Sequence, residues 1–151
     1  MKAREMMTAN PVCVTPDSPA RDAARLMEHL DCGAIPVVAD EQSRRLVGIV
    51  TDRDIALRSV ARGRDPETPV REVMSSNIRS VSPDSDLTEV ERLMAESQVR
   101  RIPVVEDGGS LVGIIALADL AVAEGRSTSE NEVGRLVERI SEPTRGSRGE
   151  E

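Results

Sequence analysis

The chain has 151 residues and a formal net charge of −7, and it contains no Phe, Tyr or Trp. The acidic balance argues against bulk attraction to nucleic acid or anionic lipid, and with no aromatic ring there is no stacking platform for single-stranded nucleic acid. No apolar run approaches the roughly 20 residues of a membrane span, and no apolar secretory core follows the start of the chain, so the expected compartment is the cytoplasm.

In chain order, residues 2–7 read as a short helical lead-in, and Val12-Cys13-Val14 as a short strand. Ser18 is placed to cap a helix beginning at Pro19, with Ala23, Leu26, Met27 and Leu30 at helical spacing. Residues 35–39 and 46–50 are β-branched strands around a polar turn, the pattern of a hairpin. A second helix over residues 52–62 stops at Gly63, and the polar stretch 62–69, with Pro66 and Pro69, reads as a linker. The order then repeats. Thr68 as a cap and Pro69 at the first helical position open a lead-in over residues 70–74. A strand near residues 79–81 precedes a helix opened by Ser85 and carrying Leu87, Val90, Leu93 and Met94. Strands at 102–105 and 111–115 lead into a helix over 117–124 that stops at Gly125. Ser129 and Glu132 form a capping box for a last amphipathic helix with Val133, Leu136, Val137 and Ile140. Pro143 ends it, and the Gly, Ser and charged residues after it are expected to be disordered.

The two passes are copies. Ile35-Pro36-Val37-Val38 matches Ile102-Pro103-Val104-Val105, Met7 pairs with Met74, and Gly48-Ile49-Val50-Thr51-Asp52-Arg53-Asp54 matches Gly113-Ile114-Ile115-Ala116-Leu117-Ala118-Asp119. The offset is about 67 residues before the hairpin turn and about 65 after it, which marks a duplicated unit with one loop difference. The expected organisation is a first repeat over 1–66, a second over 67–126, a C-terminal helix over 127–142 and a tail over 143–151. Each half alone would be marginal, so the two are expected to fold together.

Two segments carry a resemblance to a known family. They are the hydrophobic-Pro-Val-Val-x-Asp stretch, present twice (ending at Asp40 and Asp107), and a G-h-h-[ST]-x-x-D junction, complete at Gly48 to Asp54 and lacking its hydroxyl at Ala116. The chain resembles a tandem pair of CBS domains (a Bateman module), most like the small stand-alone bacterial CBS-pair proteins of the actinobacterial hypoxic-response type. The resemblance implies an α/β fold of two β-α-β-β-α repeats related by pseudo-twofold symmetry, with two clefts and a tendency to homodimerise. It also implies a possible ligand, an adenosine nucleotide (AMP, ADP or ATP) or S-adenosylmethionine, with no cofactor required.

The junction residues can be read in two ways. Thr51 and Asp54 form a capping box, and Asp54 also suits the positive end of a helix. A carboxylate at a strand-to-helix junction also offers two acceptors to the vicinal hydroxyls of a ribose. Asp119 is present although Ala116 has lost the cap, which leans towards the second reading. Arg100 and Arg101 precede a strand, where the resemblance implies phosphate contacts that guanidinium forks suit. Their matches in the first repeat are the uncharged Gly33 and Ala34, so the two clefts are chemically unequal. Thr8, Asn10 and Val12, with Ser75, Asn77 and Arg79, open the two units. The resemblance gives their backbone to the adenine edge, and turn chemistry around Asn10 and Pro11 is the alternative. The methionines read as core, and His29, late on a helix, as exposed.

No Ser-His-Asp or Cys-His arrangement, phosphate loop or HExxH is present. Cys13 and Cys32 do not form a CxxC and read as small buried hydrophobes, and one His beside them makes no zinc site. The expected function is therefore a non-enzymatic sensor that binds an adenosine compound and signals to an effector protein. The alternative is a ligand-free structural or interaction module. A nucleic-acid reading through Arg58, Arg62, Arg64 and Arg71 is the weakest.

Overall fold

The computed structural model describes residues 1–125; the expected C-terminal helix and tail lie outside the described residues. In order, the elements are α1 (Ala3–Met6), β1 (Thr8–Ala9), α2 (Ala20–Leu30), β2 (Ala34–Val38), β3 (Leu46–Thr51) and α3 (Asp52–Ile55), which continues as a π turn over Ala56–Val60. A single 3₁₀ turn (Val70–Glu72) opens the second repeat, followed by α4 (Leu87–Ser97), β4 (Arg101–Val105), β5 (Leu111–Ala116) and α5 (Leu117–Gly125). The fold is α/β, with antiparallel hairpins as expected: β2 pairs with β3 and β4 with β5, each with a bulge at its matching valine pair. The strands expected at 12–14 and 79–81 shrink to single parallel bridges, Val14 to Val37 and Val81 to Val104. Among the described residues, no helix is long and apolar enough to cross a membrane.

Each repeat's opening segment completes the other repeat's core. Ala3, with Met6 and Met7 beside it, packs among Val90, Met94, Ile102, Ile115 and Leu120 of the second repeat. Val70 and Val73, with Met74, pack among Ala23, Met27, Ile35 and Val50 of the first. The exchange explains the glycine that begins each junction stretch. A Cβ on Gly48 would lie 2.7 Å from Met74 Sδ and 3.0 Å from the Ser75 carbonyl oxygen. A Cβ on Gly113 would lie 2.8 Å from Met7 Cγ, so only a glycine leaves room for the crossing segment. The two hairpins also touch at their turns: Leu46 N–H donates to the Gly109 carbonyl and Leu111 N–H to the Arg44 carbonyl, at 3.0 and 2.8 Å.

The expected helix caps are corrected by the same exchange. Ser18 and Ser85 do not cap, and the first helical turns follow Pro19 and Asp86 instead. Pro69 is likewise the residue before its turn rather than the first in it, and Thr68 makes no side-chain cap. The free N–H groups are met by backbone from the other repeat: Ala20 N–H donates to Thr68 and Val70 N–H to Ser18, both at 2.8 Å. In the second repeat Ala3 N–H donates to Ser85 and Leu87 N–H to Met1. A carbonyl supplied across the repeats leaves a capping hydroxyl nothing to satisfy. The Ser18 and Ser85 hydroxyls instead accept from Thr15 N–H and Ser82 N–H, both at 3.1 Å. Matching ion pairs tie down the crossing segments, Arg4 to Asp84 and Arg71 to Asp17.

Candidate functional site

The box at the first strand-to-helix junction forms in full. Asp54 N–H donates to Thr51 Oγ1 and Thr51 N–H donates to Asp54 Oδ2, both at 3.0 Å. Asp54 Oδ1 lies 3.9 Å from Arg58 Nε, beyond hydrogen-bond reach, so this oxygen keeps its acceptor capacity. The π turn carries Arg58 towards the crossing segment, where its Nη1 donates to the carbonyls of Val73 (3.3 Å) and Met74 (3.0 Å). The acid is thus held at the seam between the repeats. At the second junction Ala116 N–H donates to Asp119 Oδ2 at 2.8 Å. Half of the box survives without a hydroxyl at 116, which gives Asp119 a structural reason to be an acid.

A cleft of about 980 Å³ opens where the first junction faces the second repeat, and it brings together Thr51, Asp54, Ser75, Asn77, Arg100 and Arg101. The arginines, which the sequence could not assign to a cleft, therefore lie on the Asp54 side. Arg53, Arg79 and Glu96 line the same cleft. Arg53 and Glu96 escaped the sequence reading. The signal for Arg53 was its place inside the junction stretch itself, while nothing in the spacing of Glu96 marked it. Asp52 also lines the cleft, and its carboxylate would sit 3.1 Å from a Cβ placed on Gly33. Arg101 is half-buried and Arg53, Arg79 and Arg100 are exposed.

The remaining expected site residues do not join this group. Asn10 and Val12 line a separate groove of about 1350 Å³ beside α2, with Cys13, His29 and Arg44. Asn10 adopts φ 48°, and its N–H donates to the Val112 carbonyl at 3.1 Å, so it has a turn role as well. Thr8 is exposed on β1, opposite Ile114, and Asp119 lines neither hollow. His29 is exposed, Met27 and Met94 are buried, and both cysteines are free and half-buried. Of the basic residues weighed for nucleic acid, Arg58, Arg64 and Arg71 are engaged within the chain, Arg64 with Glu72 and Arg71 with Asp17. Among the described residues, no cluster of three or more His, Cys, Asp or Glu could hold a metal ion.

Known proteins resemble this chain along nearly its whole length. The family model described as CBS domain matches twice, over residues 3–60 and 70–125. The CBS domain-containing protein YhcV of Bacillus subtilis (strain 168) is 44% identical over 138 residues, covering 91% of this chain and 94% of that protein. Hypoxic response protein 1 of Mycobacterium tuberculosis is 36% identical over 142 residues, covering 93% of this chain and 94% of its own. A crystal structure of Hypoxic Response Protein I, with two coordinated zinc ions, superposes with a TM-score of 0.74 over 85% of this chain and 100% of that one. The structure of CBSX2 in complex with AMP, 25% identical, gives 0.72 over 83% of this chain and 96% of that one.

Proposed function

The chain belongs to the CBS-domain family as a tandem pair, and on that premise we propose that it is a non-enzymatic regulatory module binding an adenosine nucleotide in the Asp54 cleft. The observation that carries the reading is the convergence of an acid with a free oxygen and two arginines, from different repeats, on one cleft. In this reading Asp54 Oδ1 accepts from the ribose hydroxyls, Arg100 and Arg101 hold phosphate, and the backbone at Ser75 and Asn77 faces the base. The AMP bound to CBSX2 supports adenosine as the nucleoside. A ligand touching both repeats stabilises one relative arrangement of them, and that shift in population is the signal. An effector protein reads the signal in the cytoplasm. The module works as a homodimer, for which exposed Leu57 and its mate Val122 supply apolar surface.

Isothermal titration calorimetry against AMP, ADP, ATP and S-adenosylmethionine tests this reading. Saturable heat with at least one of them is expected, and silence across the panel from a folded protein would refute it. The second reading, a ligand-free interaction module, draws support from one observation: both junction acids accept a backbone N–H of their own turn. It expects Asp54→Ala to lower the melting temperature while no nucleotide raises it.

A further inference from the structure

Four arginines, Arg53, Arg79, Arg100 and Arg101, line the Asp54 cleft. Under the repeat their counterparts are Ala118, Val12, Gly33 and Ala34, none of them charged. Among the described residues, no carboxylate pairs with any of the four, whereas seven other cations of the chain do have ion-pair partners: Lys2, Arg4, Arg21, Arg58, Arg64, Arg71 and Arg92. Three acids, Asp52, Asp54 and Glu96, line the same cleft. Glu96 pairs with Arg92 at 3.2 Å, Asp52 Oδ1 accepts the Arg53 N–H at 2.8 Å, and one Asp54 oxygen accepts from Thr51. The cleft therefore gathers four guanidinium groups against three carboxylates, an excess of positive charge on a protein whose net charge is −7.

Such a grouping is costly through like-charge repulsion unless an anion is shared among its members. One phosphate can satisfy one or two guanidinium forks. Four forks on one side of the molecule match a chain of phosphates better than a single one. S-Adenosylmethionine carries a sulfonium where such a nucleotide carries phosphate, and it would be repelled. Resting on the adenosine reading above, we propose that this cleft selects adenosine di- and triphosphates over the monophosphate and S-adenosylmethionine.

The test is calorimetry on the full chain with ATP, ADP, AMP and S-adenosylmethionine, repeated with Arg100→Ala/Arg101→Ala and at raised salt. The expected result is ATP bound at least about tenfold more tightly than AMP, the factor corresponding to one added charge-assisted contact. The double variant should weaken ATP more than AMP and so lose that preference, and added salt should likewise weaken ATP more than AMP. Equal affinity for AMP and ATP, or tighter binding of S-adenosylmethionine, would overturn the inference and leave the adenosine reading standing. If no adenosine compound binds but inorganic tripolyphosphate raises the melting temperature, the adenosine reading fails and the anion cleft stands. Silence with tripolyphosphate as well removes both.

Discussion

The junction at Thr51 and Asp54 and its mate at Ala116 and Asp119 are built on the same backbone and differ in their surroundings. Both follow a hairpin strand, both have a glycine crossed by a methionine of the other repeat, and both acids accept an N–H of their own turn. Only the first has a hydroxyl partner, an arginine 3.9 Å away reaching to the crossing segment, and a cleft lined by unpaired arginines. The comparison separates what a duplicated fold requires from what one cleft adds. Features present twice serve the scaffold, and features present once are candidates for function.

Four experiments break or sharpen that division. The largest effect is expected in the shared core. Ile35 and Ile102 are matched and fully buried, so Ile35→Ala and Ile102→Ala should each cost about 2–5 kcal/mol in urea denaturation followed by far-ultraviolet circular dichroism. If one is nearly neutral, the cores are not equivalent. Next come the crossed glycines. Gly48→Ala and Gly113→Ala should each destabilise by about 1–3 kcal/mol, because the added methyl overlaps a packed methionine. Met74→Ala and Met7→Ala respectively should recover part of that loss if the contact is its cause, and no recovery would point to the backbone instead.

The acids give a smaller effect on stability. Asp54→Ala and Asp119→Ala should each cost about 0.5–2 kcal/mol, since each removes an acceptor from a helix start. Thr51→Ala should fall in the same range and leave a junction resembling the second one. A much larger cost at Asp54 alone would mean that its contact with Arg58 carries the seam.

The smallest effect lies in the hairpin turns. The β2–β3 turn is closed by Asp40, whose carboxylate accepts from Ser43 N–H (2.7 Å), the Ser43 hydroxyl (2.9 Å) and Gln42 N–H (3.1 Å). The β4–β5 turn uses Gly108 and Gly109 at positive φ. The Ser43 backbone bond first, and its hydroxyl second, hold the Asp40 carboxyl below its ordinary range. Its contribution is complete above the unfolded pKa and is lost as the pH falls through the lower folded value. Asp40→Ala should therefore lower the melting temperature by no more than a few degrees near neutrality and should make the acid limb of its pH profile shallower. An unchanged acid limb would show that the turn does not depend on this charge.

The repeat, both hairpins and the long helices were legible because periodicity and β-branched runs are local properties of the chain. The caps were misread at Ser18, Thr68 and Ser85 because their helix starts are satisfied by carbonyls from a distant repeat, a fact that no local window contains. The expected strands at 12–14 and 79–81 were too short to hold more than one bridge. The single helix expected over 52–62 contains a π turn, which shifts its later residues and brings Arg58 to the seam. Of the expected site, Thr51, Asp54, Ser75, Asn77, Arg100 and Arg101 converge on one cleft, while Thr8, Asn10, Val12 and Asp119 lie outside it. Gly33 and Ala34, expected to mark a second, uncharged cleft, line the same cleft as Arg100 and Arg101, a meeting of the two repeats that no local window contains.

The most direct test titrates ATP into Asp54→Ala and Asp119→Ala side by side, each first shown to be folded by circular dichroism. The account predicts that Asp54→Ala loses about tenfold or more in affinity, the worth of a charge-assisted hydrogen bond pair, while Asp119→Ala binds like the parent chain. Binding lost in Asp119→Ala and kept in Asp54→Ala would contradict it.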